Sequence, residues 1–594
     1  MGAPVRRLLV GLIGLLLAVP LAVDATAPVA AAPLPPAAPD AAPALSIGSA
    51  YLSQRLDWQP CDFSPYVQSV VDTAPETDCA TIVVPMDWRH PDAHPDISLA
   101  IALSHATGTS KGLLTLNPGG PGLAALDNPA LFAMARPRLF SDYDLLGFDP
   151  RGYGASQSAE CTTSAAALAA LPKVADLRVR NLATHRAEVA SAKLAAQACG
   201  TNELNRYLGT QQTVDDLEFL RTYLGAHRAA SAPSYDKLNY IGYSYGTWLG
   251  AWYADSYPTH TGRFLLDSNM NWTSSMYANQ RSDSFSFERR RDRMLFPWIA
   301  RHHKRYNLGT TKATVKRRYE TIRAGVLRAF REGRSPVSAE DLDAELLSLL
   351  YSDADFPDAA QTMRDYADLA ASDQSAAGRR TDRRAAAPTD SASAPVEVDN
   401  SQIVRCNDSP YPRAVAPVLK RADADAKTFP FIGYWDTVGP CNYWPFPSTT
   451  RSIDLAGAPT ILMVQSEGDP ATAYEGARAA HRATAMHTRL VSVDDEGQHG
   501  LYLTGVSPCV DKIGDAFIFG GRLPSADTTC QARRLTGDKK VYKMKGPVDG
   551  YRHSLNAVRP PEVAAPTSSA AATAVVRRLQ RRVAEQESRS LLPR

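Results

Sequence analysis

Apolar residues change their period several times along this chain, and each change marks an element. Cys79–Trp88 (CATIVVPMDW) and Ile97–Ser104 (ISLAIALS) are strand-like and are separated by the turn-rich RHPDAHPD, which predicts an antiparallel pair. Gly112–Leu116 and Tyr143–Phe148 are further short apolar runs, followed by NPGGPG and DPRGYGAS. Thr163–Ala198 reads as helical, and Gln211–Leu224 as an amphipathic helix. Leu238, Tyr240 and Ile241 form a buried strand, and Trp248, Leu249, Trp252 and Tyr253 then recur at helical spacing. Arg263–Leu266 is the next strand. Later come a strand at Pro459–Val464, a helix at Tyr474–Ala485 and a strand at Thr488–Val493. This alternation predicts an α/β fold with a mostly parallel central sheet flanked by helices.

Between 271 and 443 the strand pattern vanishes. Val315, Tyr319, Ile322, Val326 and Phe330 mark one helix face, and Ser338 to Asp341 has capping-box spacing ahead of Leu342, Leu346, Leu349 and Leu350. The segment 371–394 is rich in Ala, Ser, Asp and Arg and is expected to be a flexible loop. The stretch 271–443 therefore reads as a helical insertion between two parts of one core, 47–270 and 444–559. At the start, Arg6 and Arg7 precede an apolar run too short to span a membrane, then small residues. Residues 1–32 are expected to be a signal peptide, and 33–46 an Ala/Pro linker. The segment 560–594 is Ala-rich and then basic, and is expected to be a flexible tail.

With 594 residues, the chain is too long for one simple core. Its 64 Lys and Arg balance 62 Asp and Glu without a basic stripe, which argues against a nucleic-acid partner. No stable membrane anchor is expected. Eight cysteines suit an exported protein. The simplest expectation pairs neighbours: Cys61 with Cys79, Cys161 with Cys199, Cys406 with Cys441, and Cys509 with Cys530. Sequence does not fix that pairing. Neither C-x-x-C nor H-E-x-x-H occurs, so no metal and no cofactor is expected.

The chemistry gathers around Gly242-Tyr243-Ser244-Tyr245-Gly246, between the strand and the helix. A serine on so sharp a turn presents its hydroxyl above a sheet, and flanking glycines remove the side chains that would clash. Such a serine needs an imidazole to take its proton and a carboxylate to orient that imidazole. In folds of this kind the order is Ser, acid, His. His499 lies in a glycine-flanked loop beyond a strand end, with His553 as the fallback. His481 falls on a helix and His487 at a strand start. Asp469 directly follows a strand; Glu467 would point elsewhere, and Asp267, also after a strand, is the rival acid. Asn117–Gly122 (NPGGPG) offers backbone N–H groups for an oxyanion hole, from Gly120 and Gly119, joined by that of Tyr245.

The ordered motifs CATIVVPMDW, LNPGGPG, DPRGYGAS, TVDDLEFLRTYLG, GYSYGTWLGAWYADSYP, EGDPATAYEGA and HGLYLTGVSPCV, from about Asp57 to Cys530, resemble the secreted tripeptidyl aminopeptidase-like serine peptidases of actinobacteria. These are α/β-hydrolases related to prolyl aminopeptidases. The resemblance implies Ser244, Asp469 and His499 as a triad beneath a helical cap. It also implies release of short peptides, usually tripeptides, from free N-termini of peptides or proteins, and secretion. Two places depart from the pattern: Ala473 stands where many relatives have proline, and Ser268-Asn269 where many have Gly-Val. A carboxylesterase with the same triad is the alternative, and a non-enzymatic binding module a third. The acidic cluster Glu340, Asp341, Asp343 and Glu345 is a weak candidate for a substrate's ammonium. Oligomeric state is not legible.

Overall fold

Twelve strands form among the described residues, most of them from the short apolar runs. They are β1 (Gln59–Pro60), β2 (Thr77–Pro85), β3 (Asp96–Ser104), β4 (Leu113–Asn117), β5 (Asp144–Phe148) and β6 (Thr162–Ser164). After these come β7 (Leu238–Tyr243), β8 (Thr261–Asp267), β9 (Pro395–Glu397), β10 (Ile461–Ser466), β11 (Thr488–Asp494) and β12 (Thr528–Gln531). The computed structural model describes residues 45–63, 76–229, 232–371, 395–397 and 401–548. The expected leader at 1–32 and tail at 560–594 lie outside the described residues, as do most of the linker at 33–46 and of the loop at 371–394.

Ten strands form one sheet in the order β1-β2-β3-β5-β4-β7-β8-β10-β11-β12. The first pairs are antiparallel, including the expected β2–β3 pair; from β5 to β12 every neighbouring pair is parallel. β4, β5, β7 and β10 are buried along their whole length, as parallel strands covered on both faces must be. Alternate residues feed two cores. Leu238, Tyr240, Ile461 and Met463 pack into one apolar cluster, and Ile241, Tyr243, Leu462 and Val464 into the other. This is the α/β-hydrolase architecture.

Most of a third apolar cluster comes from 271–443, with Leu177 and Met544 joining it from outside that stretch. Helices Met276–Arg290, Lys312–Arg331, Ala339–Leu349 and Phe356–Ala371 pack around Phe287, Tyr319, Ile322, Leu346 and Phe356. Ser338 and Asp341 form the capping box that their spacing predicts. The insertion is not strandless, however. β9 pairs antiparallel with β6, inside a stretch that reads as helix from sequence. Three residues are too few to show a period of two. β12 was equally illegible: only one of its four residues, Cys530, is buried.

The motif DPRGYGAS ties loops together. Asp149 accepts the N–H groups of Ala125, Leu126 and Ala155. Arg151, fully buried, makes a bidentate pair with Asp216 at 2.7 and 2.6 Å. Disulfides join Cys61 to Cys79, Cys161 to Cys199, Cys406 to Cys441 and Cys509 to Cys530. They close loops with sequence separations of 18, 38, 35 and 21, for which a bridge contributes about 2–4 kcal/mol. Among the described residues no helix is long and apolar enough to cross a membrane.

Candidate active site

Ser244 stands between β7 and helix Tyr245–Ser256, with φ 54° and ψ −122°. A non-glycine residue in the left-handed half of the map is costly, and here the surroundings enforce it. A Cβ at Gly242 would lie 2.5 Å from the Gly246 carbonyl oxygen, and one at Gly246 would lie 2.6 Å from that of Asn117. Both glycines are therefore required for the turn to close. Ser244 N–H donates to the Asp267 carbonyl at 3.2 Å, and Thr247 Oγ1 donates to the Ser244 carbonyl at 2.6 Å.

His499 is buried in the loop after β11. Its Nδ1 meets both carboxylate oxygens of Asp469, at 2.9 and 3.1 Å, and Asp469 is wholly enclosed. Asp469 Oδ1 also accepts the N–H groups of Ala471 and Thr472, so the carboxylate is fixed before it meets the ring. The Nδ1 contact favours the tautomer that leaves Nε2 as a proton acceptor. Tyr351, from the insertion, packs edge-on to the imidazole with centroids 5.2 Å apart, and its carbonyl accepts His499 N–H at 2.9 Å.

The histidine loop is tied directly to the serine turn. Tyr243 Oη donates to the Tyr502 carbonyl at 2.8 Å. Asp267, the rival acid, spends its side chain on this junction. Oδ2 accepts Leu501 N–H at 2.8 Å and Tyr502 N–H at 2.6 Å, while its own carbonyl holds Ser244. Burial pushes its carboxyl up to about 7, against the pull of those two N–H groups and of His499.

The glycine loop lies against the nucleophile. A Cβ on Gly119 (φ +113°) would come within 2.8 Å of Ser244 Cβ. Gly119 N–H, however, donates to Asn117 Oδ1 at 3.0 Å, so of the three expected oxyanion contributors this one is committed elsewhere and its part is steric. Gly120 and Tyr245 are the other two, and the Tyr245 N–H belongs to the first turn of a helix, where backbone donors lack intrahelical partners. A small cleft opens over Ser244. The core lines it with Gly120, Met270 and Thr472, and the insertion with Asn279, Asp283, Tyr351 and Arg405.

A family model described as TAP-like protein, of the α/β-hydrolase group, matches residues 429–530. A tripeptidyl aminopeptidase of Streptomyces lividans is 31% identical over 496 residues, covering 80% of this chain and 86% of the relative. The chain belongs to the tripeptidyl aminopeptidase family. It is accordingly a serine peptidase acting on peptides. A serine protease of Mycobacterium tuberculosis is 25% identical, over 81% of this chain and 91% of its own length. A protein of the same species named carboxylesterase B is 28% identical, over 85% and 95%.

Within this tripeptidyl aminopeptidase-family chain the remaining candidates have structural duties. Glu467 accepts the N–H groups of Asp495 and Val548. His481 lies between Thr488 and Asp527, and His487 against the Ala458 carbonyl. His553 lies outside the described residues. The cluster at 340–345 is away from the cleft. Glu340 holds Leu177 N–H, Asp341 caps its helix, Asp343 binds Arg323, Tyr319 and Tyr434, and Glu345 binds Thr362 and Tyr366. Asp283 and Arg405 escaped notice because neither sits in a motif. Ser268, one of the departures from the family pattern, has φ +58° and accepts Gly500 N–H on its hydroxyl at 2.7 Å, next to His499. That contact gives a reason for serine at a position glycine fits more easily.

Proposed function

We propose that this peptidase removes tripeptides from free N-termini through an acyl-enzyme on Ser244, with 271–443 acting as a cap over the core formed by 47–270 and 444–559. Ser244 Oγ attacks the scissile carbonyl as His499 Nε2 takes its proton. Asp469 holds Nδ1–H and favours the imidazolium. The oxyanion receives the N–H groups of Gly120 and Tyr245. His499 then returns the proton to the leaving amine. A water molecule, deprotonated in turn by His499, hydrolyses the ester and restores the serine.

The observation that best supports an exopeptidase is the cleft itself. Its outer wall comes from the insertion, and one of the side chains there is a carboxylate, Asp283. An ammonium taken from water needs such a partner, and an esterase substrate does not. The four disulfides favour an oxidising compartment outside the cytoplasm.

The test compares tripeptide p-nitroanilides with free and acetylated N-termini. Acetylation is expected to lower kcat/KM by about 10–1000-fold, and Asp283→Asn to remove most of that discrimination. Ser244→Ala is expected to abolish turnover and fluorophosphonate labelling. Equal turnover of free and blocked peptides would overturn the aminopeptidase reading; rapid ester cleavage without peptide cleavage would establish the esterase instead.

A further inference from the structure

The loop that meets the nucleophile contains two consecutive glycines, Gly119 and Gly120, with φ +113° and +106°. The peptide unit between them carries the Gly120 N–H. Neither flanking residue has a Cβ to resist rotation, so little in the chain itself prevents that unit from flipping and presenting its carbonyl instead. The structure restrains it from both sides. The peptide before it is held through Gly119 N–H, bound to Asn117 Oδ1 at 3.0 Å. The peptide after it is held through the Gly120 carbonyl, which accepts a hydrogen bond from Arg405 Nη2 at 3.2 Å.

Arg405 comes from the insertion, 285 residues away in sequence, and is 8% exposed. It lies on the short helix Ile403–Asp408, and the next three residues each anchor that helix. Cys406 is bridged to Cys441. Asn407 Nδ2 donates to the carbonyls of Asn205 and Leu208 at 2.8 and 3.0 Å. Asp408 accepts Thr210 N–H at 2.8 Å. A guanidinium on so fixed a base gives the glycine loop a rigid external stop. Its partner is a backbone carbonyl in the wall of the cleft, beside Ser244.

We propose that Arg405 is a positioning residue for the oxyanion hole: by holding the Gly120 carbonyl it keeps the Gly119–Gly120 peptide from turning its N–H away from the reacting carbonyl. Formation of the hole thus depends on the insertion as well as on the core. The proposal rests on the reading of Gly120 N–H as an oxyanion donor.

The experiment uses the full-length protein, with Arg405→Met and Arg405→Lys. Three quantities are measured: kcat and KM for a free tripeptide p-nitroanilide, the inhibition constant of the product tripeptide, and that of the matching tripeptide aldehyde. The aldehyde reports on the hole. Ser244 Oγ bonds to its carbonyl carbon, the π pair moves onto oxygen, and the serine proton passes to His499. The product tripeptide reports only ground-state binding.

For Arg405→Met, kcat is expected to fall about 10–100-fold, less than for outright loss of a donor, with KM within about 3-fold. Aldehyde affinity is expected to fall in parallel with kcat and tripeptide affinity to hold. Arg405→Lys, which keeps a donor of similar reach, is expected to show the same selective pattern on a smaller scale, and it decides the question if the methionine variant does not fold. Unchanged kcat, or equal loss of tripeptide and aldehyde affinity, would overturn the proposal, the latter by making Arg405 a ground-state contact. A wild-type protein indifferent to the aldehyde would instead refute the acyl-enzyme reading on which it rests.

Discussion

Three residues before His499, Glu496 is fully buried beside Asp353 of the insertion and Arg290. Burial, and then the Asp353 carboxylate at hydrogen-bonding distance, raise the Glu496 carboxyl well above its usual range, although Arg290 pulls the other way. Arg290 is itself fully buried and ion-paired with Asp353. One cation balances one carboxylate, so the second acid keeps its proton and donates it to the first. Glu496 Oε1 accepts the N–H groups of Gly497 and Gln498 at 2.8 and 3.0 Å. Glutamine reproduces this arrangement: its carbonyl serves the two N–H groups and its amide donates to Asp353. A group held protonated only in the native state contributes stability that is full below its unfolded pKa, about 4.3, and is lost as pH rises toward the folded value. The loss is about 1.4 kcal/mol for each pH unit over which only the folded state keeps the proton, hence up to about 3 kcal/mol between pH 5 and pH 7. Glu496→Gln does not titrate in either state and escapes that loss. For a chain of this size the unfolding entropy is about 1 kcal/mol per degree, so the variant should gain about 2–3 °C in Tm relative to wild type between those pH values. Melting both proteins at one scan rate from pH 4 to pH 8 measures the difference directly, with kcat/KM at pH 7 expected to stay within about 3-fold. Melting curves that stay parallel across this range, or a wild type that gains on the variant as pH rises, would refute the argument.

Asp469→Asn should lower kcat by roughly 10⁴-fold by favouring the wrong imidazole tautomer, whereas Asp267→Asn, which keeps an oxygen for Leu501 and Tyr502 N–H, should cost less than about 10-fold; steady-state kinetics on both decide which carboxylate is the acid. Activity should fall on acidification as His499 gains a proton, seen as one descending acid limb in the pH profile of kcat/KM. Ser268→Gly removes the hydroxyl that holds Gly500 while relieving a positive φ, so Tm should move by less than about 2 °C while kcat falls several-fold. Replacing Cys509 and Cys530 by alanine together should lower stability by about 2–4 kcal/mol, read as earlier thermal unfolding under non-reducing conditions.

Sequence alone determined what depends on neighbouring residues. The serine turn was legible because its requirements are local: a strand, two glycines that cannot carry a Cβ, and a helix. Burial on both faces of the parallel strands left apolar runs that marked β4, β5, β7 and β10, and the capping box at Ser338 follows from a spacing of three. Asp469 and His499 could be nominated from their order and from their places after strand ends. The choice between Asp469 and Asp267 belonged to the tertiary structure, since β8 and β10 are neighbours in the sheet, with Asp267 closing β8 and Asp469 in the loop just beyond β10. There His499 Nδ1 meets the Asp469 carboxylate, while that of Asp267 takes the Leu501 and Tyr502 amides. The acidic run at 340–345 looked available in sequence and proved to be spent on Leu177, Arg323 and the helix cap. β9 and β12 were too short to display a period. Asp283 and Arg405 acquire meaning only because the fold brings them to the cleft that Gly120 and Ser244 line. A hydrogen bond across 285 residues leaves no periodic trace in the chain, because what places it is the packing of Ile403 and Val404 into the main apolar core and a disulfide rather than any preference of the residues beside it.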